Sequence, residues 1–222
     1  MEIRTIIDTY PQLFHMAEAG SWNSISEHGL LSTSALLDLF EVQEPQRSEI
    51  LQQRRPASVR LKHKRYGEAV VRDQIPLSEK RLTDCLTDMT FTQWLEVLNS
   101  RVFFWLTEEH LETLLGARAY RDLPHDVFVI DTERLLDRHA DAVTLSPINS
   151  GATMYKPPAR GSETFLPISE YAFEERKKAR GKANAIVELA VDHGVLDIRD
   201  VANRVERRQV GVKSKLLWKR ES

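Results

Sequence analysis

The chain has one cysteine, Cys85, among 222 residues. A lone thiol forms no internal disulfide and builds no multi-cysteine zinc site. Cys85 is expected as a small buried apolar residue, and such sparing use of cysteine suits a reducing cytoplasm. No apolar run approaches the roughly 20 residues that cross a bilayer. The opening MEIRTIIDTYP lacks the apolar core of a secretory signal, so the expectation is a cytoplasmic protein without a membrane span. An excess of one charge is also missing: 31 Lys and Arg face 33 Asp and Glu, a formal net charge of −2. The nine glycines include no Gly-x-Gly-x-x-Gly, no phosphate-loop Gly-Lys-Ser/Thr and no Gly-x-Ser-x-Gly elbow. The seven histidines (15, 28, 63, 110, 125, 139 and 193) never pair at helical ligand spacing, so no metal site is expected.

What is present is an ordinary globular composition, 41% hydrophobic and 29% charged, with length enough for a sizeable core. Repeats and low-complexity linkers are absent, which predicts a single domain over 1–222. Ser34 is expected to cap a helix reaching Glu41, with Leu36, Leu37 and Phe40 on its apolar side. A polar helix over 44–54 should end at Pro56. Residues 59–65 and 69–73 read as two strands, or as a hairpin through Gly67. Ser78 and Thr90 start capped helices. RVFFWL at 101–106 reads as a short aromatic strand. Thr107 then caps a helix whose first turn holds Glu108 and Glu109, where the helix dipole favours them. Residues 126–130 form a strong strand followed by a helix, and VTLSPINSGATMY a strand running into a loop. TFLPI is strand-like, 169–180 a charged helix and 184–191 the last clear strand. DIRDVANRVERR reads as a final helix or turn. Short strands in irregular alternation with helices predict an α+β fold.

Three features stand out for chemistry. His15 ends the apolar run LFH, Phe103, Phe104 and Trp105 are consecutive aromatics, and Glu188 stands between AIV and LAV. A strand-end histidine and an aromatic strand are ordinary packing elements. The glutamate is less ordinary. Strand alternation puts Ile186, Glu188 and Ala190 on one face and Val187, Leu189 and Val191 on a core face. Glu188 then faces either solvent or a cleft, and on a cleft it is a rigidly held carboxylate.

LFHMAEAGSWNSISEHGLLS, RVFFWL and NAIVELAVDHGVLDI together resemble the ADP-ribosyltransferase fold, most nearly its His–aromatic–Glu group with the DarT-type nucleic-acid ADP-ribosyltransferases. The chain as a whole is similar to an uncharacterised bacterial family that shares LNSRVFFW and SPINSGAT. The first resemblance implies a split mixed or antiparallel sheet with surrounding helices, and NAD as substrate without a metal. His15 would hold an NAD ribose hydroxyl, with Ser32 and Thr33 shaping the same cleft. Phe103 or Phe104 would stack on nicotinamide. Glu188 would bind the nicotinamide ribose and stabilise the oxocarbenium-like charge that develops as nicotinamide leaves; Glu163 is its rival. Arg160 would meet the pyrophosphate, while Arg72, Asp73, Gln74, Asn149 and Ser150 are further polar groups for the cleft. Two departures from the family pattern are Met16, where glycine often follows the histidine, and Phe or Trp in place of the usual tyrosine. A non-catalytic binding protein on the same scaffold is the alternative.

The acceptor that the resemblance implies would be macromolecular. RRPASVRLKHKR at 54–65 concentrates six basic residues, and Lys62, Lys64 and Arg65 are its candidates for nucleic-acid phosphates. A second cluster, ERKKARGK at 175–182, precedes the Glu188 strand. For both, a solvated charged face is the competing expectation.

Overall fold

A computed structural model describes residues 1–221. The chain opens with α1 (Ile3–Thr9), β1 (Gln12–Glu18), α2 (Trp22–His28), β2 (Leu30–Leu31), α3 (Thr33–Leu39) and α4 (Gln46–Gln52). A hairpin, β3 (Val59–His63) and β4 (Gly67–Val71), leads to α5 (Glu79–Cys85), α6 (Phe91–Asn99), β5 (Arg101–Trp105) and α7 (Glu108–Leu115). Then come β6 (His125–Asp131), α8 (Thr132–His139), β7 (Val143–Ser146), β8 (Leu166–Pro167) and α9 (Phe173–Arg180). The last elements are β9 (Glu188–Asp192), β10 (Gly194–Val195), α10 (Ile198–Val201), β11 (Ala202–Gln209) and β12 (Val212–Lys219). The class is α+β. No helix among the described residues is long and apolar enough to cross a membrane.

Eight strands make one antiparallel sheet in the order β12-β11-β6-β1-β5-β9-β7-β8. Both of its faces are covered. On one, Phe104, Phe128, Ile130 and Leu189 pack with Ile6 of α1, Leu135 of α8 and Ile198 of α10. The other face has two separate covers. Leu111 and Leu115 of α7 close over Phe14, Met16, Val127 and Val129. Leu82 of α5 and Trp94, Leu95 and Leu98 of α6 close over Ala190. A satellite core joins the β3–β4 hairpin to α3 and α4 through Leu37, Phe40, Ile50 and Leu61.

Helix starts follow their capping chemistry. Thr90 and Gln93 form a reciprocal capping box on α6, and the Thr107 hydroxyl accepts from the His110 amide on α7. The cap of α3 is Ser32, not the expected Ser34; its hydroxyl accepts from the Ala35 amide at 3.2 Å. The charged helix also begins later than expected, at Phe173, because the chain is extended at Tyr171, whose hydroxyl donates to the Ala185 carbonyl at 2.6 Å. The strand expected at 184–191 starts at Glu188, after a 3₁₀ turn over Lys182–Asn184.

The C-terminal region departs most from expectation. Its helix stops after Val201, and 202–219 form a hairpin that extends the sheet beside β6. Local propensity is overridden by pairing: Ala202 and Val205 enter the core, Arg207 binds buried Asp126 at 2.9 Å, and Trp218 packs on Trp22 at 5.3 Å between ring centroids.

Two glycines allow β2 and β10 to meet. Gly29 has φ +87, and a Cβ there would lie 2.6 Å from the Leu196 Cα; a Cβ on Gly194 would lie 2.6 Å from the Leu30 carbonyl oxygen. Gly29→Ala therefore forces both a positive φ on alanine and a backbone collision. It should cost more than about 1 kcal/mol of stability, read as a lowered urea midpoint with an unchanged m-value.

Candidate functional site

β1 and β5 are neighbours, yet they pair at a single position, Phe14 opposite Trp105. Next along β1, His15 points its Nδ1 at the Phe103 carbonyl oxygen, 2.8 Å away. A carbonyl only accepts, so Nδ1 carries the proton and Nε2 of the neutral ring is left as an acceptor. The ring packs against Phe104 and Phe128, each 5.8 Å away between centroids. Burial pushes its pKa down to about 4, with the Phe103 bond pulling the other way. His15 is neutral at pH 7.

The two covers of the sheet part over this seam, α7 on one side and α5–α6 on the other. A cleft of about 900 Å³ lies there, at the upper end of the size that ligand pockets take. The β3–β4 hairpin supplies another wall through Ala69 and Val71. Glu188 lies on this cleft as the first residue of β9, in register with Trp105 on β5 and Ser146 on β7. It is 4% exposed. Burial raises its pKa from 4.5 to about 7, and the Ser150 hydrogen bond and the Arg160 charge act against that rise. The Ser150 amide donates to Oε2 at 3.0 Å.

The cleft brings together His15, Ser32, Thr33, Phe103 and Glu188 from four elements, β1, α3 with its cap, β5 and β9. Not every expected residue is there. Phe104 lies 1% exposed in the main core; strand alternation puts Phe103 and Trp105 on the opposite face, and both line the cleft. The Ser32 hydroxyl is engaged as the α3 cap and with Ser34 at 3.2 Å, so it shapes the wall through the backbone turn it holds. Arg160 does not face the cleft. It is 2% exposed, and its guanidinium donates to the carbonyls of Ser150 at 2.7 Å and Pro158 at 3.3 Å. The cation that does line the cleft near His15 is Arg72, held by the Met16 carbonyl at 2.9 Å and by the Tyr120 ring at 4.7 Å. Glu163 is exposed in a 3₁₀ turn outside the cleft. The Met16 side chain packs beneath α7.

Trp105, noted in the sequence with the aromatic trio but not assigned to stacking, lines the cleft beside Phe103, and alternation from Phe103 is the signal that marks it. His110 and Tyr155 carried no such signal. His110 reaches the wall from α7, its Nε2 3.1 Å from the Asn184 Oδ1. Tyr155 stands 91% exposed on the rim.

The basic run at 54–65 is mostly engaged within the molecule. Arg54 donates to the Leu77 carbonyl, Arg55 to those of Ile50 and Arg72, and Arg60 pairs with Glu18. Lys62 pairs with Glu68 across the hairpin at 2.7 Å, both side chains exposed. Lys64 and Arg65 remain exposed at the hairpin turn, with Arg65 over the Tyr66 ring. In the second cluster Lys177 pairs with Glu174, and Arg180 donates to the Pro147 carbonyl. Among the described residues, no three His, Cys, Asp or Glu side chains gather as metal ligands.

The raised pKa of Glu188 has a consequence for stability. Between pH 4.5 and about 7 the folded state binds more protons at this residue than the unfolded state. Its stabilising contribution is therefore complete below 4.5 and is lost as pH rises through about 7. Glu188→Gln removes the titration and keeps an acceptor for Ser150. Above pH 8 it should be about 3 kcal/mol more stable than the parent protein, and near pH 4 about equal to it. Urea denaturation at the two pH values measures the difference.

No curated protein and no solved structure matches the chain. One family profile does, over residues 11–202, the stretch that holds every cleft residue named above. The chain therefore belongs to DUF7002, a family of unknown function.

Proposed function

We propose that this protein is an NAD-dependent ADP-ribosyltransferase of the His–aromatic–Glu type, cleaving the nicotinamide–ribose bond and passing ADP-ribose to a macromolecular acceptor. The observation that carries the reading is the meeting of His15 and Glu188 on one cleft, at the seam where β1 and β5 stop pairing. The interrupted antiparallel sheet supports the ADP-ribosyltransferase-like architecture implied by the sequence resemblance.

Each group has a chemical task in this reading. His15 Nε2, an acceptor because Nδ1 serves Phe103, takes a hydrogen bond from a ribose hydroxyl. Phe103 and Trp105 offer aromatic surface to the nicotinamide. Arg72 answers the pyrophosphate charge. When the C1′–N bond breaks, its electron pair neutralises the pyridinium nitrogen and leaves positive charge on the ribose. An ionised Glu188 stabilises that charge, and its low-dielectric setting strengthens the effect. The acceptor nucleophile then forms a bond to C1′ and releases its proton to solvent. NAD carries a permanent pyridinium charge, which favours ionised Glu188 on binding.

The test is nicotinamide release from NAD. Glu188→Gln should lower turnover by about 10²-fold or more. For the parent protein, kcat/KM should rise with pH through about 7 as Glu188 ionises. His15→Ala should raise KM for NAD more than it lowers kcat, since its bond is made in ground and transition states alike. Absence of nicotinamide release from the parent protein across pH 6–9, in the presence of candidate acceptors, would overturn the reading.

Nucleic acid is the acceptor class we favour, on the strength of exposed Lys64 and Arg65 at the turn of the hairpin whose strands wall the cleft. Replacing both with Ala should weaken nucleic-acid binding and reduce the magnitude of its salt slope by about 2. Solvent hydrolysis of NAD should be unchanged. Titrations at two salt concentrations decide this, and salt-independent or undetectable binding of the parent protein rules the acceptor class out.

A further inference from the structure

The loop SPINSGAT leaves β7 at Ser146 and returns to Glu188 through the Ser150 amide, 3.0 Å from Oε2. We propose that Arg160 is a positioning residue for Glu188: buried behind the cleft, it grips this loop by its carbonyls and so holds the Ser150 amide against the carboxylate. The inference rests on the role given to Glu188 above, and names a residue that acts on it without touching substrate.

Arg160 is anchored independently of the cleft. Its amide donates to the Cys85 carbonyl at 2.9 Å, its own carbonyl accepts from the Thr87 amide at 3.0 Å, and Leu86 and Arg160 form a parallel bridge. From this base Nη1 reaches the carbonyls of Ser150 at 2.7 Å and Asn149 at 3.4 Å, while Nε reaches that of Pro158. The same peptide segment thus accepts from Arg160 through the Ser150 carbonyl and donates to Glu188 through the Ser150 amide. Thr153 fixes the loop further on, exchanging hydrogen bonds with Ser78 and donating its amide to the Pro76 carbonyl.

Arg160 Nη2 is buried without a partner, and a buried guanidinium with an unsatisfied nitrogen costs stability that an apolar side chain would not. Besides its hydrogen bonds to the loop carbonyls, Arg160 brings a charge that an apolar side chain cannot supply. That charge acts on Glu188, favouring the ionised carboxylate. The other titratable groups on the cleft are His15 on β1, Glu18 at its end, the hairpin's Arg60 and Glu68, Arg55, Arg72 and Asp73 flanking the hairpin, His28 on α2, Arg101 on β5, His110 on α7, and Tyr120 and Tyr155. Among the described residues none of them is hydrogen-bonded or ion-paired to Glu188.

The experiment follows the Glu188 carboxyl directly. Protein carrying ¹³C at glutamate Cδ is titrated by NMR, with the Glu188 resonance assigned by its loss in Glu188→Gln. In Arg160→Met, the Glu188 midpoint should rise by about one unit above that of the parent protein. Arg160→Lys keeps a charge but not the fork, so its midpoint should lie between the two. Nicotinamide release by Arg160→Met should show its acid limb displaced upward by the same amount, with kcat lowered about tenfold and KM for NAD within about threefold. If Arg160→Met does not fold, Arg160→Lys carries the test with the same sign. A folded variant with an unmoved Glu188 midpoint overturns the proposal, and so does the failure of both variants to fold, which would reduce Arg160 to a brace. The titration needs no NAD, so a parent protein that releases no nicotinamide refutes the proposed activity and leaves the result on Arg160 standing.

Discussion

The cleft depends on one interruption in the hydrogen bonding of the sheet. β1 runs in continuous register with β6 along its whole length, while on its other side it pairs with β5 only at Phe14. Where that ladder stops, the Phe103 carbonyl finds its donor in the His15 ring. A sheet that closed fully would leave no room between its strands, and a seam without His15 would leave a carbonyl unpaired. The imidazole does both jobs: it satisfies the backbone and leaves Nε2 available. Because α7 packs over β1 and β6 while α5 and α6 pack over β5 and β9, the helical cover parts over the same seam.

Across that seam the protein sustains an unfavourable arrangement. A carboxyl almost fully buried in a strand prefers to be neutral, and burial dominates at Glu188. The Ser150 hydroxyl and amide and the Arg160 guanidinium partly compensate. The result is a group poised near neutrality, the range in which small changes in local charge decide ionisation. Strained or costly groups of this kind are expected at sites rather than in scaffolds. β6 and β9 also bury runs of apolar side chains on both faces, and Asp126, the buried charge in β6, is met by Arg207 and by the amides of Gly20 and Trp22.

Surface charge follows the opposite logic. Basic residues that look like a patch in the sequence are distributed among carbonyls, carboxylates and aromatic faces in the fold. Arg55 is buried and serves the backbone of two segments, and Lys62 answers its cross-strand neighbour Glu68. The C-terminal hairpin is similar, with Arg208 bridging Glu206, Glu108 and Glu112. Such pairs contribute little each, but they change which charges remain available to a partner.

The sequence by itself determined what local physics determines. Thr90 and Thr107 cap their helices, Gly67 turns its hairpin, the aromatic strand at 101–105 forms, and the α+β class follows from the mixture. Alternation also held enough to separate Phe103 and Trp105 from Phe104, although the stacking expectation did not use it. Tertiary structure alone decided the rest. Whether Glu188 faces solvent or a cleft depends on where α5, α6 and α7 lie, which no spacing within β9 encodes. Arg160 lies 28 residues before Glu188 in the chain, and only the folding back of the loop onto Cys85 and Thr87 takes it out of the cleft and sets it against the Ser150 carbonyl. The final hairpin looked helical or turn-like because its charges have no visible partners in the sequence; Asp126, Glu108 and Glu112 supply them from 80 or more residues away. Capping and alternation act over a few residues, whereas the walls of this site are set by contacts between segments far apart in the chain.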